Sequence, residues 1–318
     1  MHQPIPLDEI EAARAGIAGA AIRTPLVRLN VDDGPAEIHL KLENLQPIGS
    51  FKIRGAANAF AMADPVDLRR GVWTASAGNM AQGVAWCATR LGVPCSVVVP
   101  ETAPEAKLSA IRRLGARPIA VPVDQWFDVF ATRRFPGLDG LFVHPFSDRN
   151  VMAGNGTIGL EILEDLPEVD AVLVPYGGGG LIAGIASAVK AVKPEARVYA
   201  CEVETAAPLG PSLEAGRPVE VPFAPTFVDG IGAPRVFPEM FELVRTLVDG
   251  AVSSSVEEIA AAVKLLVERN RVVAEGAGAA SVAAALAGKG GSGKVVCVVS
   301  GGNIDPAKLA AILRDEVP

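Results

Sequence analysis

The chain has 318 residues, more than one hydrophobic core usually organises, so two domains are expected. Half of the residues are hydrophobic, 20% are charged and 5% are aromatic, the balance of a soluble α/β protein packed mainly by Ala, Val, Leu and Gly. A net charge of −7 without any basic stripe argues against a nucleic-acid partner.

The opening residues MHQPIPLDEIEAAR are polar and then amphipathic and lack the basic and apolar regions of an export signal, so a cytoplasmic protein is expected. Cys87, Cys95, Cys201 and Cys297 lie far apart in apolar runs, as buried thiols in a reducing compartment do. Leu7, Ile10, Arg14 and Ile17 fall at helical spacing, with Asp8 near the start and Gly16 and Gly19 at the end. Alternation from Glu37 to Leu42 predicts a strand with an exposed edge. The turn QPIGS then leads into a helix beginning near Phe51, with Lys52 in its first turn.

From about residue 71, strands and helices alternate: VWTAS, a helix over 79–91, CSVVVP, a helix over 104–114, RPIAVP, and then DQWFDVFATRR. Three short apolar runs separated by helices predict a small parallel sheet. A second series runs through AVLVP, a helix from Leu181, RVYACE, an Ala-rich segment, KVVCVVS and a last helix from Pro306. The fold class read from this is α/β with two interleaved, open, twisted sheets. The uncharged stretch from Ala171 to Val189 has the length of a membrane span, but Pro175 and four adjacent glycines would break a lipid-exposed helix, so no membrane partner is expected. The proline-rich region from Arg217 to Glu239 reads as irregular structure able to line a site or an interface.

Three glycine-rich or small-polar turns follow strands. Gly177, Gly178, Gly179 and Gly180, then Leu181, form a loop at a helix start, where backbone amides can hold an anion such as a phosphate. The loop lacks the Lys-Ser/Thr ending of a P-loop and the spacing of a dinucleotide site. Ser76-Ala77-Gly78-Asn79 and Ser300-Gly301-Gly302-Asn303 also follow strands, where ligands collect in open parallel sheets, though each pattern also serves as a helix cap. Lys52 sits where the positive end of a helix lowers a lysine pKa, which suits covalent catalysis, although a lone lysine is also ordinary surface decoration. The three histidines, His2, His39 and His144, have no HExxH spacing and no GxSxG is present, so zinc hydrolysis and serine-triad catalysis have little support.

Taken together and in order, LENLQPIGSFKIRGA at 42–56, TASAGNMAQGVA at 74–85, PYGGGGLIAG at 175–184, AEGAGAAS at 274–281 and SGGNID at 300–305 resemble the threonine dehydratase and serine racemase group of fold type II pyridoxal-phosphate enzymes. The resemblance implies pyridoxal 5'-phosphate as cofactor, with residues 1–50 and 148–318 as a large cofactor-binding domain and 51–147 as a smaller inserted one. It makes Lys52 the catalytic lysine that forms the Schiff base, with Phe51 beside the cofactor ring. Asn79 would bond the ring hydroxyl, Gly177 to Gly180 and Leu181 the phosphate, and Ser300 the pyridine nitrogen. Ser76, Ala77, Asn79 and Gln82 would receive the substrate carboxylate. The implied reaction is elimination of water from a small β-hydroxy amino acid, such as L-threonine, L-serine, 3-hydroxyaspartate or phenylserine, by a homodimer.

Three positions depart from the group. Met80 replaces a usual histidine, which points to an altered substrate pocket. Ala77 replaces the serine that racemases use as a second base, which argues against a racemase. The divalent-cation position of the group would begin at Glu202 and Ala206, but Pro208 stands where the next acid is expected, so no metal is assigned. Glu275 reads equally as a helix-capping acid or as a site residue. The sequence ends at Pro318 without the effector-binding domain of biosynthetic threonine dehydratases, so no feedback control through such a domain is expected. A racemase, a β-replacement enzyme, a non-catalytic small-molecule binder on the same fold, and last a plain nucleotide-binding protein are the competing readings.

Overall fold

The computed structural model describes residues 3–318. Among them, ten strands follow in chain order: β1 (Leu26–Arg28), β2 (Glu37–Lys41), β3 (Val72–Ala75), β4 (Cys95–Pro100), β5 (Arg117–Val121), β6 (Leu141–Phe142), β7 (Ala171–Pro175), β8 (Arg197–Val203), β9 (Gly250–Ser254) and β10 (Lys294–Val298). They form a six-stranded sheet ordered β1-β2-β10-β7-β8-β9 and a four-stranded sheet ordered β5-β4-β3-β6. Of these strand pairs, only β1–β2 is antiparallel. The smaller sheet is built from residues that lie between β2 and β7 in the chain, so the two sheets are interleaved.

The Glu37–Lys41 strand is not at an edge. It pairs with β10 in parallel, Val295 opposite Ile38, and with β1 in antiparallel register, Val27 opposite Leu40. Its alternation arises because Ile38 and Leu40 are buried while Glu37 and His39 stay partly exposed. The three-residue β1 takes the edge, and the small sheet gains a fourth strand in the two-residue β6; both are too short to show a period. β9 likewise has no counterpart in the sequence reading. The proline-rich region is largely irregular, tied by a single bridge between Glu220 and Arg235, until a helix begins at Pro238.

Strands β7, wholly apolar, and β3, apolar but for Thr74, are buried along their whole length, as expected when helices cover both faces of a parallel sheet. The helix Arg149–Asp165 is buried from Val151 to Leu163 and capped by Asp148, whose carboxylate accepts from the amides of Asn150 and Val151. It packs on the helices Lys52–Ala61 and Gly180–Val192. Two catalytic candidates, Lys52 and the glycine loop, therefore sit at the starts of helices braced by one buried neighbour. No helix among the described residues is long and apolar enough to cross a membrane.

Candidate active site

After β7 the chain passes through Tyr176 and four glycines into the helix Gly180–Val192. Gly179 has φ of +87°, a left-handed conformation strained for any side chain. A Cβ on Gly180 would lie 2.6 Å from the Phe146 carbonyl oxygen, and one on Gly178 would overlap the Phe146 ring. The amides of Gly178, Gly179 and Gly180 donate to no carbonyl of the described residues. A helix start with such donors is an anion site.

The loop forms one wall of a cavity of about 350 Å³. Phe51, Lys52, Ser76, Ala77, Asn79, Gly177, Gly178, Gly179, Gly180, Leu181 and Ser300 all line it. Lys52 starts the helix Lys52–Ala61; its Nζ donates to the Pro145 carbonyl at 2.6 Å and lies 5.0 Å from the centre of the Phe51 ring. Burial lowers its pKa to about 8 against the opposing charge of Glu275. Desolvation is thus the main cause, where the sequence pointed to the helix terminus.

The two small-polar turns that compete for the crevice in the sequence meet here. Asn79, at the start of the helix Asn79–Leu91, donates from Nδ2 to Glu275 Oε1 at 2.8 Å and accepts at Oδ1 from Asn303 Nδ2 at 2.8 Å. Ser300, just beyond β10, is buried, and its carbonyl accepts from the Phe51 amide at 3.0 Å. The Ser300 turn therefore also fixes the entrance to the Lys52 helix. Ser76 Oγ accepts from the Gly78 amide at 3.2 Å. Met80 is buried on the cavity wall. Gln82 instead lines an adjoining cavity of about 480 Å³, reached past Asn79 and Glu275.

Glu275, left open by its sequence context, is in the site: buried and pushed up to about 7 by burial, with nearby Asp229 adding to the shift. Sequence reasoning missed Lys107 and Asp229, which pair at 2.9 Å across the mouth and line both cavities. Nothing in either sequence context signals a contact between residues so far apart. It also missed the apolar wall of Trp126, Phe130 and Phe146. Glu202 lies outside the cavity, with its carboxylate accepting from the amides of Leu209 at 2.8 Å and Gly210 at 3.1 Å.

A family model described as pyridoxal-phosphate dependent enzyme matches residues 17–301. The chain belongs to this family. It is 45% identical over 315 residues to an L-threonine ammonia-lyase of Thermotoga maritima, covering 98% of this chain and 78% of that protein. It is 40% identical over 317 residues to the catabolic L-threonine dehydratase of Escherichia coli K12, covering 97% and 96%. Among solved structures it is similar to maize serine racemase, with TM-score 0.89 and 33% identity over 98% of both chains. It is also similar to the processed form of threonine deaminase isoform 2 from Solanum lycopersicum, with TM-score 0.84 and 33% identity over 98% of this chain and 95% of that one. The resemblance read from the motifs and the fold type II architecture are thereby established.

The residues fit the family's cofactor. Unpaired loop amides suit its phosphate, a half-buried lysine with a lowered pKa suits covalent attachment, and the cavity has the volume of a small-molecule site.

Proposed function

We propose that this pyridoxal-phosphate enzyme is an L-threonine ammonia-lyase, removing water from L-threonine by β-elimination and releasing a 2-keto acid and ammonia. The observation that carries the reading is the placement of a half-buried lysine of lowered pKa in one cavity with the unpaired amides of the glycine loop. The names and near full-length identity of the curated relatives supply the substrate.

When bound, pyridoxal phosphate supplies an electron-withdrawing ring that weakens the substrate's Cα–H bond. Lys52 takes that proton. Of the two lysines lining the cavity, Lys107 is held by Asp229, whereas Lys52 bonds only a neutral carbonyl. With a pKa of about 8, roughly a tenth of Lys52 is neutral at pH 7, against about one part in 3,000 for an ordinary lysine. Gly177 to Gly180 and Leu181 would hold the cofactor phosphate, Phe51 would pack beside its ring, Asn79 would bond the ring hydroxyl, and Ser300 would serve the ring nitrogen. A neutral serine there withdraws fewer electrons than a charged partner and favours elimination. Ser76, Ala77 and Asn79 receive the substrate carboxylate, with Gln82 acting from the adjoining cavity. Trp126, Phe130 and Phe146 give the cavity an apolar wall. Racemisation needs a proton donor on the opposite face, and Ala77 offers none.

The same family resemblance makes a cytoplasmic homodimer the expected form, and we assign residues 1–50 and 148–318 to a large domain and 51–147 to a small one. The test of function is keto acid and ammonia release from L-threonine by cofactor-loaded enzyme beside Lys52→Ala. Release by the wild type and a loss of at least about a thousandfold in the variant support the reading. A loaded enzyme that converts L-serine, 3-hydroxyaspartate or phenylserine but not L-threonine would correct the substrate, and one that converts none would leave a binder.

A further inference from the structure

Between β6 and the helix Arg149–Asp165, the residues Val143 to Ser147 cross beneath the cavity, and each is tied down. The Val143 amide donates to the Trp73 carbonyl at 2.9 Å and its carbonyl accepts from Thr74 Oγ1 at 2.8 Å. The Pro145 carbonyl accepts from Lys52 Nζ at 2.6 Å. The Phe146 ring and backbone fill the space that side chains on Gly178 and Gly180 would need. Ser147 accepts from the Arg133 guanidinium at its carbonyl, 2.8 Å, and its hydroxyl, 3.2 Å. At the centre, His144 Nδ1 accepts from the amides of Phe146 at 3.3 Å and Ser147 at 2.8 Å.

We infer that His144 is a positioning residue for the reaction: its Nδ1 holds the turn that presents the Pro145 carbonyl to Lys52 and the Phe146 backbone to the glycine loop. The inference rests on Lys52 and the loop being the working site.

Two buried amides converge on one ring nitrogen, which must carry no proton, so the ring proton is on Nε2. Without that acceptor both amides are stranded in an apolar setting and the turn must rotate to satisfy them. Pro145 brings no N–H of its own to brace the turn. Rotation moves the one carbonyl that bonds Lys52 and slides Phe146 against Gly178 and Gly180. The histidine ring also packs against Phe146, Phe130 and Phe142, at centroid distances of 4.5, 5.8 and 5.8 Å. A purely structural ring would act through that packing; a positioning ring acts through Nδ1.

His144→Asn and His144→Leu in the full chain separate the two roles, because the asparagine Oδ1 reaches where Nδ1 reaches while leucine offers no acceptor. Three readouts are taken: the Kd of cofactor-stripped protein for pyridoxal phosphate by fluorescence titration, the pH midpoint of the bound cofactor's visible absorbance, and Tm. His144→Leu is expected to raise Kd at least about tenfold and to move the midpoint, while His144→Asn stays within about threefold of wild type in Kd and keeps the midpoint, although its Tm falls. Both variants folded with wild-type Kd and midpoint, or both displaced equally, would overturn the inference. Should the leucine variant fail to fold, His144→Gln, whose amide reaches past the Nδ1 position, must show the same loss. Wild type that binds the cofactor yet yields no keto acid counts against the proposed reaction alone, and the Kd comparison still decides the role of His144.

Discussion

Arg54 follows Lys52 by two residues and is fully buried, where sequence alone would place an arginine at the surface. Its guanidinium bonds both oxygens of Glu43 at 2.8 Å and Glu161 at 2.6 and 2.8 Å, while Lys41 pairs with Glu161 at 2.6 Å. Burial would raise the Glu43 carboxyl, but Arg54 beside it, with Thr24 and Lys41, holds it below the usual range. Two cations and two carboxylates thus neutralise one another and fasten the Lys52 helix to β2 and the helix Arg149–Asp165. Arg54→Met strands Glu43, leaves Glu161 to Lys41 alone, and is expected to lower unfolding stability by about 3–5 kcal/mol in denaturant titration. A loss below about 1 kcal/mol would show that the network contributes as little as a surface pair. The motif residues of the site were legible because glycines and small polar residues cluster in turns after strands and Lys52 begins a helix. Glu275, Arg54 and the Lys107–Asp229 pair were not, because only tertiary packing separates a buried acid or base from an exposed one.

At the scale of elements, alternating apolar runs and glycine turns disclosed most strands and the boundaries of the helix Asn79–Leu91. The helix Arg149–Asp165 escaped notice for a physical reason. It is buried nearly all round, so it lacks an apolar stripe, and its glycines are contact points: a Cβ on Gly156 would lie 2.9 Å from Ile10, and one on Gly159 would lie 2.9 Å from the Ile185 carbonyl oxygen. β1 and β6 are too short to show a pattern. The glycine loop has the same logic of close approach, with the cavity on its other side. Gly178→Ala puts a methyl group into the Phe146 ring. Displacement of either partner is expected to cost about 1–3 kcal/mol in stability and to weaken pyridoxal phosphate binding at least about tenfold by fluorescence titration. Gly177 makes the control, because a Cβ there meets nothing closer than 3.5 Å. Equal binding losses in Gly177→Ala and Gly178→Ala would exclude contact with Phe146 as the cause.

Over the whole molecule, the buried ionisable groups set opposing demands on pH. Glu202 is 2% exposed, and burial pushes it up to about 7 despite its bonds to the amides of Leu209 and Gly210. Glu275 is raised to about 7 for the same reason. A carboxyl whose pKa is higher in the folded state than its ordinary 4.5 contributes stability that is full below pH 4.5 and lost as pH rises through 7. Lys52, lowered to about 8, behaves oppositely: its contribution is full above its ordinary 10.5 and lost as pH falls through 8. Near neutrality the fold therefore carries both penalties, and Glu202 is the group to isolate because it lies outside the cavity. Glu202→Gln keeps an acceptor for one amide and removes the titration. Relative to wild type, the variant is expected to gain roughly 2.5 kcal/mol of unfolding free energy between pH 5 and pH 8, whatever its offset at pH 5. Parallel stability curves would mean that Glu202 is ionised across the whole range, with the two amides outweighing its burial.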